Sequence, residues 1–161
     1  MKKNTTVAEL VKCGTCGYKS ADGAEFRTHS CADVLAAQWV CRRANLVEQL
    51  TYDLNALNGQ LLKFRDEFAQ EPLETLKWSD SVFVAAAKQR VTREAMMLFA
   101  QFDKEALTPE QQWARVLKYF TEKAMRGARF PKMSTSVPSN LAETYQTQAY
   151  AEMAEKLDLG L

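Results

Sequence analysis

Four cysteine and histidine side chains near the N-terminus constrain this chain more than any other feature. Cys13 and Cys16 are separated by two residues. His29 follows after twelve more, and Cys31 lies two residues beyond it. Zn²⁺ prefers thiolate and imidazole ligands in a tetrahedral arrangement, and a Cys-x-x-Cys turn supplies two of them. The spacing therefore predicts a zinc site that includes Cys13, Cys16 and His29.

The fourth ligand of this site has three candidates: Cys31, Cys41 and Asp33. Successive residues of a helix are turned by about 100°, so His29 and Cys31 would point in nearly opposite directions on a continuous helix. Cys31 can be a ligand only if the helix ends or tightens at His29. Cys41 would lie roughly 12 Å along a helix from Asp33, and an aspartate is a less usual structural ligand. We predict Cys31 as the fourth ligand and Cys41 as a small buried helix residue.

The stretch from residue 10 to 33 resembles a C2H2 zinc finger. It carries the Cys-x₂-Cys-x₁₂-His spacing, with Tyr18 shortly after the second cysteine and Phe26 three residues before the histidine. The resemblance implies a small ββα module in which Tyr18 and Phe26 form the core. The second histidine of such fingers is absent here, so the predicted ligand set is C2HC-like: Cys13, Cys16, His29 and Cys31.

Other uses of the cysteines are less well supported. A thioredoxin-type redox pair would need a surrounding βαβ pattern, which the sequence lacks. A disulfide framework needs an oxidising compartment, and residues 1–6 lack the apolar run of a signal peptide. No apolar stretch approaches the roughly 18 residues of a membrane span. We therefore expect a cytoplasmic protein that does not enter a membrane.

The chain beyond the finger has the pattern of long amphipathic helices. From Val47 to Phe68 the apolar positions alternate three and four residues apart, and no proline occurs between Asp33 and Pro72. This pattern is a heptad seam and predicts a helix over about 34–70, which Asp33 can cap. The seam can pack within a helical bundle of its own chain, which we favour, or form a coiled-coil homodimer through residues 47–68.

Three further helices are predicted, over about 80–104, 109–127 and the region after Ser139. Thr108 and Pro109 have the residue types of a helix start, and Gly127 that of a helix end. Ser139 or Asn140 is the predicted cap of the last helix. The expected fold is mostly α, with a small N-terminal ββα zinc finger followed by a helical bundle. The expected parts are a zinc-finger module at 1–33, a helical domain at 34–133, and a loop and C-terminal helix at 134–161.

The chemistry available argues against an enzyme. The one histidine is assigned to zinc, so neither a Ser-His-Asp nor a Cys-His pair can form. The six glycines form no phosphate-binding loop. The net charge of +1, from 21 basic and 20 acidic residues, does not indicate a surface coated with nucleic-acid-binding charge.

Charge is nevertheless concentrated between residues 108 and 133. This segment holds six basic residues against two acidic ones; the basic residues are Arg115, Lys118, Lys123, Arg126, Arg129 and Lys132. We predict a non-enzymatic, regulatory zinc-finger protein that contacts DNA or RNA through Arg27 of the finger and through this basic helix. The alternative is an adaptor or inhibitor that docks on a larger protein complex through its long helices. Convergence of the basic segment with Lys12, Lys19 and Arg27 would favour nucleic acid.

Overall fold

The protein is mostly helical, in agreement with the predicted fold class. The computed structural model describes residues 10–76, 79–129 and 137–159. Its elements, in chain order, are β1 (Val11–Lys12), β2 (Lys19–Ser20), α1 (Gly23–Thr28), α2 (Cys31–Gln70), α3 (Pro72–Leu76), α4 (Ser79–Phe102), α5 (Pro109–Arg129) and α6 (Val137–Asp158). The chain divides into two compact units at the junction between Cys41 and Arg42. Each unit is described separately.

The N-terminal unit contains a two-stranded antiparallel sheet followed by a short helix. In the sheet, Lys12 of β1 lies directly opposite Lys19 of β2. Asp22 caps α1, because its Oδ1 accepts a hydrogen bond from the backbone N–H of Ala24 at 2.8 Å. The helix ends at His29, whose backbone is extended (φ −66°, ψ 140°). This order of elements is the one that the resemblance implies, while membership of the finger family stays a prediction.

The long helix α2 begins earlier than predicted. Its first residue is Cys31, and the hydroxyl of Ser30 accepts a hydrogen bond from the backbone N–H of Asp33 at 3.3 Å. Ser30, rather than Asp33, therefore caps this helix, and Asp33 lies in its first turn. The C-terminal end agrees with the prediction, since α2 ends at Gln70 and a proline two residues later cannot continue the helical hydrogen bonds.

The C-terminal unit is a bundle in which α4, α5 and α6 pack together with the later part of α2. Leu46 and Leu50 of α2 are fully buried, and so are Phe99 of α4 and Phe120 of α5. The indole N–H of Trp113 donates to the backbone carbonyl of Leu157 at 3.0 Å, which joins α5 to the end of α6. Because Leu50 belongs to the heptad seam, its burial fits the interpretation that the seam packs within its own chain.

Two predicted helix ends are wrong. Gly127 does not end α5, which continues to Arg129. Gly127 lies instead where α6 comes close, since a Cβ at this position would be 2.3 Å from the hydroxyl oxygen of Thr147. The last helix begins at Val137, before the predicted cap at Ser139. The first residues of the predicted loop, 134–136, lie outside the described residues.

Candidate metal centre

The structure brings the four predicted ligands together from three different local settings. Cys13 and Cys16 lie in the turn that joins β1 to β2, His29 ends α1, and Cys31 is the first residue of α2. The turn closes because the backbone N–H of Gly17 donates to the carbonyl of Cys13 at 2.9 Å. Gly17 has a φ of +71°, a conformation that glycine adopts without steric cost. All four ligand atoms lie within 4.8 Å of one another.

Three of the six distances between these atoms match the edges of a tetrahedron centred on zinc. With Zn–S bonds of about 2.3 Å and Zn–N bonds of about 2.0 Å, tetrahedral geometry requires S–S edges of about 3.8 Å and S–N edges of about 3.5 Å. The Sγ atoms of Cys13 and Cys31 are 3.7 Å apart. The Nε2 of His29 lies 3.4 Å from Sγ of Cys16 and 3.4 Å from Sγ of Cys31. The residues therefore fit a zinc ion in both donor type and spacing.

Backbone and ring contacts hold His29 in the orientation that a ligand needs. Its Nδ1 lies 2.5 Å from the backbone carbonyl of Phe26, so Nδ1 carries the hydrogen and Nε2 is directed at the sulfur atoms. The ring stacks on Tyr18 with centroids 4.8 Å apart and lies 5.3 Å from the ring of Phe26. Tyr18 and Phe26 are half-buried and pack against His29, at the position where the resemblance expects a core.

The cluster has unusual proton affinities without a metal. Hydrogen bonds from the backbone of Cys16 and from the imidazole of His29 lower the pKa of Cys13 to about 6. The carbonyl of Phe26, followed by the thiol of Cys13, raises the pKa of His29 to about 9. Hydrogen bonds with the thiols of Cys16 and Cys13 raise the pKa of Cys31 to about 11. At neutral pH a thiolate therefore lies beside an imidazolium, and a metal must displace protons from His29 and Cys31.

The rival fourth ligands lie outside this cluster. Among the described residues, the group of potential ligand atoms that are close enough to share a metal ion contains neither Asp33 nor Cys41. The expectation that Cys41 is buried is wrong, because its side chain is exposed. The break between α1 and α2 at His29 and Ser30 resolves the geometric objection to Cys31, since the two residues do not share a continuous helix.

Two of the predicted nucleic-acid-binding residues on α5 contact other side chains of the same chain. Arg115 forms an ion pair with Glu105 at 2.9 Å, and its guanidinium lies 5.7 Å from the ring centroid of Phe102. Lys118 lies 3.9 Å from Glu122, one turn along the same helix. Exposed pairs of this kind are weak, so both side chains can exchange partners. Arg115 and Lys118 thus lie beside acidic side chains and do not form a purely basic surface.

The remaining basic residues of this segment divide into three cases. The ammonium of Lys123 lies over the ring of Tyr119, 5.2 Å from its centroid. Arg126 and Arg129 are exposed in the last turn of α5, where cations interact favourably with the helix dipole. Lys132 lies outside the described residues.

The N-terminal unit carries a group of basic residues of its own. Lys12 and Lys19 are both exposed and project from the same face of the sheet, because directly opposite residues of an antiparallel pair share a face. Arg27 is exposed on α1 and donates from Nε to the backbone carbonyl of Gly23 at 3.0 Å. The register of two such short strands cannot be predicted from local residue patterns, so only the structure could pair these two lysines.

Comparison of the chain with protein-family models, with curated proteins and with solved structures found no match. Within residues 10–76, 79–129 and 137–159, no helix combines the length and the apolar character needed to cross a membrane.

Proposed function

We propose that the chain is a non-enzymatic zinc-binding protein in which Cys13, Cys16, His29 and Cys31 hold one structural Zn²⁺. The observation that carries this proposal is the match between the measured S–S and S–N separations, 3.7 Å and 3.4 Å, and the edges of a zinc tetrahedron. Four protein ligands fill a tetrahedral ion. Catalytic zinc sites keep one position for water or substrate, so this arrangement favours a structural role.

The N-terminal unit has little else to stabilise it. Among its described residues, Cys16 is the one hydrophobic side chain that is buried, and Ser20 the one buried polar side chain. So small a unit cannot bury enough apolar surface to offset its conformational entropy. Metal binding supplies that free energy in small zinc modules, and we assign the same part to zinc here.

Cobalt substitution tests the ligand set, because tetrahedral thiolate coordination gives Co²⁺ a characteristic visible spectrum. We expect that spectrum in the wild-type protein and in Cys41→Ser, whose replaced thiol is exposed and outside the cluster. We expect Cys16→Ser to lose it. A spectrum that survives Cys16→Ser but disappears in Cys41→Ser would refute the assignment.

We further propose that the zinc-ordered unit binds the phosphates of DNA or RNA. The support is the pair Lys12 and Lys19, which lie side by side on an exposed face. Like charges directly opposite each other in a sheet are unfavourable. An anionic partner would relieve this repulsion, and phosphate contacts supply most of the affinity in nonspecific nucleic-acid binding. Arg27 of α1 would add a further phosphate contact in this unit, and Arg126 and Arg129 of α5 offer phosphate contacts of their own in the C-terminal unit.

Salt dependence separates these contacts from general electrostatics. Each phosphate contact contributes about −0.9 to the slope of log K against log salt concentration on duplex DNA. Removing both lysines in Lys12→Ala/Lys19→Ala should therefore flatten the slope by about 2. Lys63→Ala is the matched control, since Lys63 is exposed and paired with Glu67 at 3.6 Å. The cobalt spectrum must stay intact in all variants, and an unchanged slope in the double variant would sink the proposal.

Protein binding is the second candidate function, and exposed apolar side chains favour it. Leu10 is 62% exposed, Val11 is 51% exposed and Val40 is 54% exposed, all within the N-terminal unit. Exposed apolar surface of this kind is typical of sites that meet a protein partner. Under this alternative, Val11→Ser weakens binding in a pull-down assay with the partner, and the double lysine variant does not.

A further inference from the structure

A cavity in the helical bundle is unconnected with the metal ligands. It lies between one face each of α2, α4 and α6, and its volume is about 360 Å³. The lining residues are Asp53, Ala56 and Leu57 of α2, Lys88, Val91 and Thr92 of α4, and Ala149, Glu152, Met153 and Lys156 of α6. The spacing within each helix is that of a single face. Alanines at 56 and 149 leave the space that larger side chains would fill.

The rim of the cavity carries two ion pairs, each formed by one lysine and one carboxylate. Lys88 joins α4 to α6 through Glu152, with Nζ and Oε2 2.8 Å apart. Lys156 joins α6 to α2 through Asp53, with Nζ and Oδ2 2.6 Å apart. The four side chains are between 25% and 42% exposed, so they are reachable from solvent. The rim has no net charge, but it offers cations and anions next to each other.

We propose that this cavity binds a free amino acid with an apolar side chain. Leu57, Val91 and Met153 would surround that side chain, because small-molecule sites combine an apolar lining with a few polar groups. The rim would hold the ammonium and carboxylate groups carried on one carbon atom. A ligand with a single charge would interact favourably with only the cations or only the anions of the rim. The volume is at the small end of the range for ligand sites, which suits a ligand of this size.

Isothermal titration of the full-length protein with L-phenylalanine tests the proposal. Two analogues, 3-phenylpropanoate and 2-phenylethylamine, each lack one of the two charged groups. We expect phenylalanine to bind at least about tenfold more tightly than either analogue. Equal binding of all three compounds would overturn the zwitterion argument, and no binding at millimolar concentration would overturn the site.

Three variants locate the binding in the cavity. Ala56→Leu should abolish it by filling the space, and the exposure of Ala56 keeps the fold intact. Thr92→Val should weaken phenylalanine binding, because it replaces a hydroxyl group in the wall of the cavity by a methyl group. Lys156→Met should weaken binding, whereas the control Lys118→Met, whose exposed lysine lies outside the cavity, should not. Binding that survives Ala56→Leu places the ligand elsewhere and refutes the proposal.

Discussion

Replacing Gly127 by alanine tests the packing of α5 against α6. A Cβ at Gly127 would lie 2.3 Å from Oγ1 of Thr147, 2.8 Å from its Cγ2 and 3.1 Å from its Cβ. Rotation of the Thr147 side chain can move the first two atoms, but the Cβ moves only with the backbone of α6. Gly127→Ala therefore requires the two helices to separate slightly at this point.

The expected magnitude follows from two opposing terms. Alanine is more favourable than glycine inside a helix by about 1 kcal/mol. Overpacking a well-packed contact costs about 1–3 kcal/mol. The change in the free energy of unfolding for Gly127→Ala should therefore lie between zero and a loss of about 2 kcal/mol. For a domain of this length, each kcal/mol corresponds to about 2–4 °C in melting temperature.

Gly59→Ala is the matched control, because Gly59 is also inside a helix but has no atom within 4 Å of an added Cβ. Only the difference in helix propensity applies here, so the free energy of unfolding of this variant should rise by about 1 kcal/mol. Urea unfolding of both variants, followed by circular dichroism with zinc present throughout, measures the difference. Gly127→Ala should be less stable than Gly59→Ala by about 1–3 kcal/mol. Equal stability of the two variants would refute the close approach of α5 and α6.

Three other results are expected. Tyr119→Phe should lower the free energy of unfolding by about 1–2 kcal/mol, because the Tyr119 hydroxyl donates a hydrogen bond to the carboxylate of Glu94 inside the bundle. The control Tyr52→Phe, at a 71% exposed position, should leave the free energy of unfolding unchanged in the same urea experiment. Burial alone would raise the pKa of Asp53, but the hydrogen bonds from Lys156 and Gln49 and the positive charge of Lys156 together outweigh burial, and the net pKa is lowered. The stability from this pair is thus present above the unfolded pKa of about 3.9 and lost as the pH falls, so Asp53→Asn should lower the melting temperature at neutral pH and have little effect near pH ~2. Zinc affinity, measured by competition with a chelator, should fall on acidification because protons compete for the imidazole and the thiolates; a pH-independent affinity would contradict the ligand set.

The sequence was informative about the metal centre because its signal is local. The donors lie within nineteen residues, and their spacing alone predicts which of them meet. The requirement that the helix break at His29 was also predicted, and the extended backbone there meets it. The prediction that Asp33 caps the next helix was wrong, because Ser30 and Asp33 are equally good capping types and only the backbone geometry distinguishes them.

Features that depend on packing between distant segments could not be predicted. Gly127 resembles a helix end in the sequence, since nothing local reveals that Thr147 lies beside it. The cavity residues from Asp53 to Lys156 are separated by up to 103 positions, and no local pattern connects them. The basic residues of α5 were counted correctly, but their ion pairs with acidic residues depend on which side chains the fold brings close.

The most direct test of the central claim is the zinc content of the native protein. Mass spectrometry under native conditions, on protein purified without chelators, gives the number of metal ions per chain and the mass of the assembly together. We expect one zinc ion per chain, which is lost in Cys16→Ser and retained in Cys41→Ser. A protein that carries no zinc when purified and takes none up on addition would contradict the account of the four-residue cluster as a metal centre.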